Sequence, residues 1–259
     1  MNIIVCIKQV IDPEAPPASF KIDASGKKAE MHGAPPVIDP YGEYAVEAAL
    51  RLKEAGGGAI TVFSLGVNLL REVVKKPLAM GADELILLED TAYAGRDSYS
   101  NAASLAAAIQ KKGGYDLILC GRESSDTNAG QTGPAIAAIL GVPCVVLARK
   151  LSAADGKLRI ERVTADGYDI VETSLPCVVT VSNEIGQPRY PTIKGIMAAK
   201  KIEPIVWKPA DLGEPAANRT ALRQLFQPVH EGKCDFAAGD TPEEMAVNLA
   251  VKLRESKVF

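Results

Sequence analysis

Residues 116–140 read DLILCGRESSDTNAGQTGPAIAAIL and contain a strand, a loop and a helix in immediate succession. The apolar run at 116–120 is typical of a strand that is covered on both faces of a parallel sheet. The small apolar residues after Pro134 indicate a helix, and the loop between the two is rich in Gly, Ser and Asn. In a doubly wound α/β sheet, such a loop lies beyond the carboxyl end of its strand, where these sheets bind ligands.

The same alternation of apolar strands and amphipathic helices extends over about the first two-thirds of the chain. It predicts an α/β fold with a doubly wound, mostly parallel sheet. Besides the strand at 116–120, strands are predicted at 3–7, 60–64, 84–88, 144–147 and 177–181. Helices are predicted after Asp39-Pro40 and at 68–80, 98–112 and 130–140.

Two segments depart from this alternation. Residues 157–173 alternate apolar and polar side chains around Asp166-Gly167, which predicts an antiparallel β-hairpin at one edge of the sheet. From Lys201 the chain is rich in proline, and it ends in a helix that Thr241 and Glu244 cap. We therefore expect an α/β domain at 1–200 and an extended C-terminal arm with a helix at 201–259. The arm is predicted to clamp another subunit, and packing against its own domain is the alternative.

Composition excludes several classes of protein. A net charge of −3 and 5% aromatic residues argue against nucleic acid as a partner. No stretch has the roughly 18 apolar residues that a membrane span needs, and the N-terminus lacks the pattern of a signal peptide. These features predict a cytoplasmic protein without membrane insertion. Five cysteines without a CxxC spacing and only two histidines, His32 and His230, predict neither a disulfide framework nor a metal site.

The loop before Pro134 has the composition of a phosphate-binding loop, although an ordinary turn is the alternative. Gly130 and Gly133 allow the backbone to approach a ligand, and the amides at 131–133 begin a helix whose dipole favours an anion. The loop has neither the Walker sequence nor the GxGxxG fingerprint. The chain also shows no His/Ser/Asp constellation. It is therefore predicted to bind a nucleotide without supplying a catalytic acid, base or nucleophile.

Five segments in the same order resemble the beta (small) subunit of electron-transfer flavoproteins. They are VCIKQVID, DPYGEYAVEAALRLKE, MGADELILLED, GRESSDTNAGQTG and QPRYPTIKGIMAAKK, and the resemblance covers roughly residues 1–210. It implies a subunit that forms a heterodimer with an FAD-carrying alpha subunit and shuttles electrons from dehydrogenases such as acyl-CoA dehydrogenases. The rivals are a stand-alone adenine-nucleotide sensor and an enzyme that acts on ATP.

The resemblance also implies a nucleotide site in this subunit, which holds AMP in members that perform simple electron transfer. The alternative is a second FAD, as in flavin-bifurcating members, and Pro134 after the loop is common among those. Asp39 stands where the family often has Asn, and residues 14–36 have no assigned role. The implied cofactor-binding residues are Cys6, Ile7, Lys8, Asp39, Pro40, Tyr41, Gly42, Leu65, Arg122, Asp126, Thr127, Asn128, Ala129, Gly130, Gln131, Thr132 and Gly133.

A second implied site is a docking loop at 188–197. In the family this loop inserts an apolar side chain into a pocket on the partner dehydrogenase. The anchoring position falls on Ile193, with Met197 nearby, and an acidic residue that steers the partner falls on Glu172. Packing of Ile193 inside its own protein is the alternative.

Overall fold

The computed structural model describes residues 1–259 except 32, 34, 155, 229–231, 233 and 259, so His32 and His230 lie outside the described residues. Its strands are β1 (Asn2–Ile7), β2 (Gln9–Val10), β3 (Phe20–Ile22), β4 (Ala29–Met31), β5 (Val37–Ile38), β6 (Ala59–Gly66), β7 (Glu84–Glu89), β8 (Leu117–Gly121), β9 (Cys144–Ala154), β10 (Lys157–Thr164), β11 (Gly167–Ser174), β12 (Cys177–Val181) and β13 (Ile205–Trp207). Its helices are α1 (Pro40–Gly56), α2 (Arg71–Val74), α3 (Lys76–Met80), α4 (Ser98–Lys112), α5 (Thr132–Leu140), α6 (Ile193–Lys201), α7 (Pro209–Leu212) and α8 (Pro242–Glu255).

The chain divides into two compact units, Met1–Arg223 and Gln224–Phe259. The larger unit contains a nine-stranded sheet in the order β11-β10-β9-β12-β8-β1-β6-β7-β13. In this spatial order, the seven strands β9-β12-β8-β1-β6-β7-β13 are all parallel to their neighbours. Strands β10 and β11 add an antiparallel hairpin at the edge beside β9. The predicted doubly wound α/β fold and its edge hairpin are confirmed. All six predicted strands are present, as β1, β6, β7, β8, β9 and β12.

Both faces of the central strands are buried, which explains why their sequences do not alternate with polar residues. In β1 the side chains of Ile3 and Val5 belong to the core on one face, whereas those of Ile4 and Cys6 belong to the core on the other. Helix α1 covers the first face, and α4 and α5 cover the second. Of the described helices, none is both long and apolar enough to cross a membrane.

The order of the strands creates a switch point at β1. The chain runs from β1 through β6 to β7 in one direction, and it then returns to the opposite side of β1 to form β8. Because the direction of the crossovers reverses between β1 and β8, a crevice opens beyond the carboxyl ends of these two strands.

The prediction of one helix at 68–80 was wrong. Two short helices, α2 and α3, replace it, and they are separated at Lys75. Pro77 lacks the amide that would continue the hydrogen bonding of α2. Asn68 has a φ of 54°, which is incompatible with the start of a right-handed helix.

The first part of the segment predicted as the arm packs on the sheet. Strand β13 pairs with β7, and the ring of Trp207 lies 6.1 Å from that of Phe63. Residues up to Arg223 therefore belong to the larger unit. Cys144 is exposed at the start of β9.

The smaller unit consists of an irregular segment and α8. The hydroxyl of Thr241 accepts a hydrogen bond from the amide of Glu244 at 3.2 Å, as the predicted cap requires. The carboxylate of Glu244 accepts from the amide of Asp240 at 2.9 Å. The side chain of Asn248 donates to the carbonyl of Ala238 at 2.8 Å and joins the helix to the preceding segment.

Candidate functional site

A cavity of about 280 Å³ lies at the switch point, beyond the carboxyl ends of β1 and β8. Its floor includes Cys6 and Cys120, which are neighbours in the paired strands. A hydrogen bond with Cys6 and burial raise the pKa of Cys120, so that this thiol stays neutral at physiological pH. The cavity therefore has an uncharged floor, and its polar groups come from the loops and helix ends around it.

Most of the predicted cofactor-binding residues line this one cavity. They are Cys6, Ile7, Lys8, Asp39, Gly42, Leu65, Arg122, Thr127, Ala129, Gly130, Gln131, Thr132 and Gly133. The other four predicted residues, Pro40, Tyr41, Asp126 and Asn128, lie outside the lining. The structure thus brings together residues from four separate segments of the sequence, at 6–8, 39–42, 65 and 122–133.

Asp39 joins the start of α1 to the loop after β8. One carboxylate oxygen accepts from the amide of Tyr41 at 3.0 Å, which is the predicted N-cap. The other oxygen accepts from the amide and the hydroxyl of Ser125 at 2.6 and 2.7 Å. Because Asp39 is buried and fully occupied by these donors, its role is to hold the two walls of the cavity together.

Lys8 and Asp126 form a second link between the walls. The ammonium group of Lys8 donates to both carboxylate oxygens of Asp126 at 2.7 Å. Both side chains are partly exposed, so this pair by itself adds little stability. Its position places one cation at the rim of the cavity.

The N-terminus of α5 borders the cavity, because Gln131, Thr132 and Gly133 are all lining residues. The side-chain position of Gly133, however, faces the protein. A Cβ there would lie 2.7 Å from Cγ2 of Thr180 in β12. Gly133 therefore allows α5 to pack closely on the sheet, and its role in letting the backbone approach a ligand stays a prediction.

The start of α4 forms a wall that the sequence reasoning missed. Arg96, Asp97, Ser98, Asn101 and Leu105 line the cavity, together with Thr220 from the segment after α7. Asp97 caps α4 by accepting from the amide of Ser100 at 2.9 Å, and it also accepts from the amides of Arg219 and Thr220. The available signal was Asp97, an N-cap residue in the connection between the strand that ends at Glu89 and α4, since α4 begins at the same end of the sheet as α5.

The chemistry of the lining fits an anionic ligand that also carries hydrogen-bond donors. Three basic residues, Lys8, Arg96 and Arg122, line the cavity beside the N-terminus of α5, together with three acidic residues, Asp39, Asp97 and Glu123. The side-chain oxygen of Asn101 is buried and has no hydrogen-bond partner within the described part of the chain. Within that same part, no group of three or more His, Cys, Asp or Glu residues is arranged to hold a metal ion.

The predicted docking loop is in part a helix, which corrects its description as a loop. Thr192 caps α6 by accepting from the amide of Gly195 at 3.0 Å, and Ile193 is the first helical residue. The side chain of Ile193 is 80% exposed and that of Met197 is 62% exposed. Packing of Ile193 inside its own chain is therefore excluded for the larger unit.

The segment before α6 is held against α1 by Arg189. Its guanidinium donates to Glu47 at 2.9 and 3.1 Å and also binds Glu54. Burial by itself would raise the pKa of Glu47, but the hydrogen bonds from Arg189 and Arg51 outweigh burial and lower this pKa. Glu47 is therefore ionised at neutral pH and anchors the docking segment.

The structure does not bring Glu172 to the other two predicted docking residues. Glu172 is exposed on β11, the strand at one edge of the sheet. Ile193 and Met197 lie on α6, which packs against α3. Helix α3 is part of the connection from β6 to β7, and these two strands lie near the other edge of the sheet. A steering role for Glu172 would act at a separate part of the surface.

The fold and the cavity define a doubly wound α/β protein with a polar, ligand-sized cavity at its switch point. A family model described as "Electron transfer flavoprotein domain" matches residues 28–212. The chain belongs to the electron transfer flavoprotein family, and its relatives include beta subunits.

Three relatives illustrate the extent of the similarity. The electron transfer flavoprotein subunit beta of Thermoanaerobacterium thermosaccharolyticum is 40% identical, over 86% of this chain and 84% of the relative. The caffeyl-CoA reductase-Etf complex subunit CarD of Acetobacterium woodii is 35% identical over the full length of both proteins. Protein FixA of Azorhizobium caulinodans is 30% identical, over 86% and 80% of the two chains.

Proposed function

We propose that this protein is the beta subunit of an electron transfer flavoprotein and that it holds an adenine nucleotide in the cavity at the switch point. The observation that carries the proposal is that the N-terminus of α5 and three cations border one cavity. A helix N-terminus with nearby cations stabilises a phosphate group. The buried, unpaired oxygen of Asn101 suits a donor such as an adenine amino group or a ribose hydroxyl.

The size of the cavity favours AMP. Ligand pockets commonly have volumes of about 300–1,000 Å³, and this cavity of about 280 Å³ is at the small end. A mononucleotide fits this space better than a complete FAD molecule. The second candidate, an additional FAD as in flavin-bifurcating members, is supported by Pro134 directly after the loop and by full-length similarity to CarD.

Denaturation of the purified heterodimer tests the identity of the nucleotide. We expect the complex with its alpha subunit to release AMP and FAD in equal amounts, because each subunit holds one of them. Mass spectrometry of the released molecules measures the ratio. FAD in excess of the heterodimer without AMP would establish the second candidate. A stable monomer that carries only an adenine nucleotide would instead indicate a sensor.

Two other parts of the protein, the smaller unit and α6, bind partner proteins. The smaller unit, with α8, clamps the alpha subunit, which carries the FAD that accepts electrons. The exposed side chains of Ile193 and Met197 on α6 contact the electron-donating dehydrogenase, of the acyl-CoA dehydrogenase type. Both roles are supported by exposed apolar side chains, since such groups mark surfaces that partners cover.

Ile193→Ala should slow electron transfer from the dehydrogenase. Burying an isoleucine in a partner contributes roughly 1.5–3 kcal/mol, which corresponds to about a ten- to hundredfold change in affinity. The measurement is the rate of flavin reduction at sub-saturating dehydrogenase. The matched control is Ile139→Ala, because Ile139 is also a partly exposed isoleucine on a helix, α5.

Reduction of the flavin by dithionite should be the same in both variants, since a small reagent needs no docking surface. An unchanged dehydrogenase-dependent rate in Ile193→Ala would show that this side chain is not the contact.

A further inference from the structure

A groove of about 590 Å³ lies beside α6 and is distinct from the cavity at the switch point. Its walls are largely apolar and include Val37, Ile38, Val73, Ala79, Ile196 and Ala199. They come from β5, α2, α3 and α6. No residue of the proposed nucleotide site lines this groove, so binding of the nucleotide does not account for it.

The groove continues into the exposed apolar surface of α6. Ile196 forms part of its wall, while Ile193 and Met197 on the same helix project into solvent. Tyr190, directly before the helix, is 92% exposed. A small molecule in the groove would leave these exposed side chains uncovered, whereas a protein partner would cover the groove and the side chains together. The continuity therefore favours a protein as the occupant.

The charges around the groove favour a partner with acidic side chains at the contact. Its lining carries four basic side chains, Arg71, Lys75, Lys76 and Lys200, and two acidic ones, Glu43 and Glu72. Arg71, Lys75 and Lys76 form ion pairs within the protein, whereas Lys200 has no ion pair among the described residues. Helix α6 itself contains three lysines and no acidic residue. Complementary charge would place carboxylates of the partner against this rim.

The walls of the groove are held in place before a partner arrives. A Cβ at Gly195 would lie 2.2 Å from the carbonyl oxygen of Ala79, so only glycine lets α6 approach α3 this closely. Arg189 fixes the segment before α6 to α1 through Glu47 and Glu54. A preformed surface loses little conformational entropy on binding, which suits a docking site.

We propose that this groove is a socket that receives an apolar side chain, flanked by carboxylates, from the dehydrogenase that reduces the complex. The docking would then be reciprocal, because α6 inserts Ile193 into the partner while the partner inserts a side chain beside Ile196. The proposal rests on the proposed function, in which a dehydrogenase docks at α6.

The test uses the complete heterodimer and an acyl-CoA dehydrogenase that its acyl-CoA substrate keeps reduced. Val73→Phe fills the socket and should lower the second-order rate of flavin reduction about tenfold, by the size of a buried apolar contact. Lys200→Glu reverses the rim charge and should lower this rate about five- to tenfold at low ionic strength, with the loss reduced by salt. Lys157→Glu, an exposed lysine on β10 at the far edge of the sheet, is the matched control and should have little effect.

The possible outcomes distinguish failure of the socket from failure of the proposed docking function. A slow Ile193→Ala variant with normal Val73→Phe and Lys200→Glu rates would overturn the socket and leave docking at α6 intact. Loss of the alpha subunit from Val73→Phe would also overturn it, because the alpha subunit would then cover the groove. Binding of free octanoate in the groove, with normal rates in both variants, would show that the occupant is a small acid. A wild-type complex that no acyl-CoA dehydrogenase reduces would overturn the docking function and the socket together.

Discussion

Thr132→Asp should empty the nucleotide cavity while the protein stays folded. Thr132 is the first residue of α5, lines the cavity and lies where the proposed phosphate meets the helix amides. An acidic residue in the first turn of a helix stabilises the helix by about 0.3–1 kcal/mol. The first turn of α5 contains no acidic residue, so the variant should fold at least as well as the wild type.

The loss of nucleotide should be large, because the new carboxylate repels the phosphate. Two like charges about 4 Å apart near a protein surface repel by about 4 kcal/mol, which is a loss of affinity of about a thousandfold. Nucleotide released per purified heterodimer measures the effect, and thermal unfolding reports the fold. Thr132→Asn has a similar size without the charge and should retain its nucleotide. Equal nucleotide content in the Asp variant and the wild type would place the phosphate elsewhere.

Removal of residues 224–259 should abolish the association with the alpha subunit and leave the larger unit folded. The unit Met1–Arg223 contains the whole sheet and every residue that lines the cavity. Helix α8 has no buried residue, and Met245, Val247, Leu249 and Val251 are each about half exposed. A helix of this length is marginal alone in water, so we expect the partner to stabilise it.

Affinity for the alpha subunit should fall by at least about a hundredfold, or about 2.7 kcal/mol, in the chain that ends at Arg223. Co-purification and sedimentation with the alpha subunit measure this loss. Co-purification at the wild-type yield would refute the clamp.

A chain that ends at Pro209 provides the contrast. It also loses Asn218, Arg219 and Thr220, which bind the backbone and side chain of Asp97 beside the cavity. It further loses the carbonyl of Ala216, which accepts from Ser100 at 2.6 Å. We therefore expect the shorter chain to lose its nucleotide and to unfold at a lower temperature than the chain that ends at Arg223. Equal nucleotide content in the two chains would show that the segment 210–223 does not shape the site.

Local patterns sufficed to predict the central strands. The β-branched and apolar runs of β1, β8 and β12 predicted covered strands, and α4 was predicted with its observed bounds, Ser98–Lys112. The prediction failed where neighbouring signals conflicted. Apolar periodicity across 68–80 suggested one helix, but the backbone of Asn68 delays its start and Pro77 divides it. The pairing of β13 with β7 had no local signal, because a three-residue strand is stabilised by its neighbour.

The cavity also has walls that local patterns predict and a wall that they do not. The walls from β1, α1 and the loop before α5 could be predicted from local patterns of glycine, N-cap and loop residues. These same segments also resemble those of the family. The wall from α4 and Thr220 was missed. Thr220 is over a hundred residues from α4 in sequence, and hydrogen bonds to Asp97 and between Ser100 and Ala216 bring the two segments together.

The sequence by itself determined the class of fold, the family and the chemical character of the loop before α5, because these depend on the order of local patterns along the chain. The tertiary structure decided that β8 returns to the far side of β1, which opens the crevice where the loop, α1 and α4 meet. It also decided that Gly133 faces Thr180 and that Gly195 faces Ala79. These outcomes depend on contacts between distant segments, and the direction in which a side-chain position points is set by that packing.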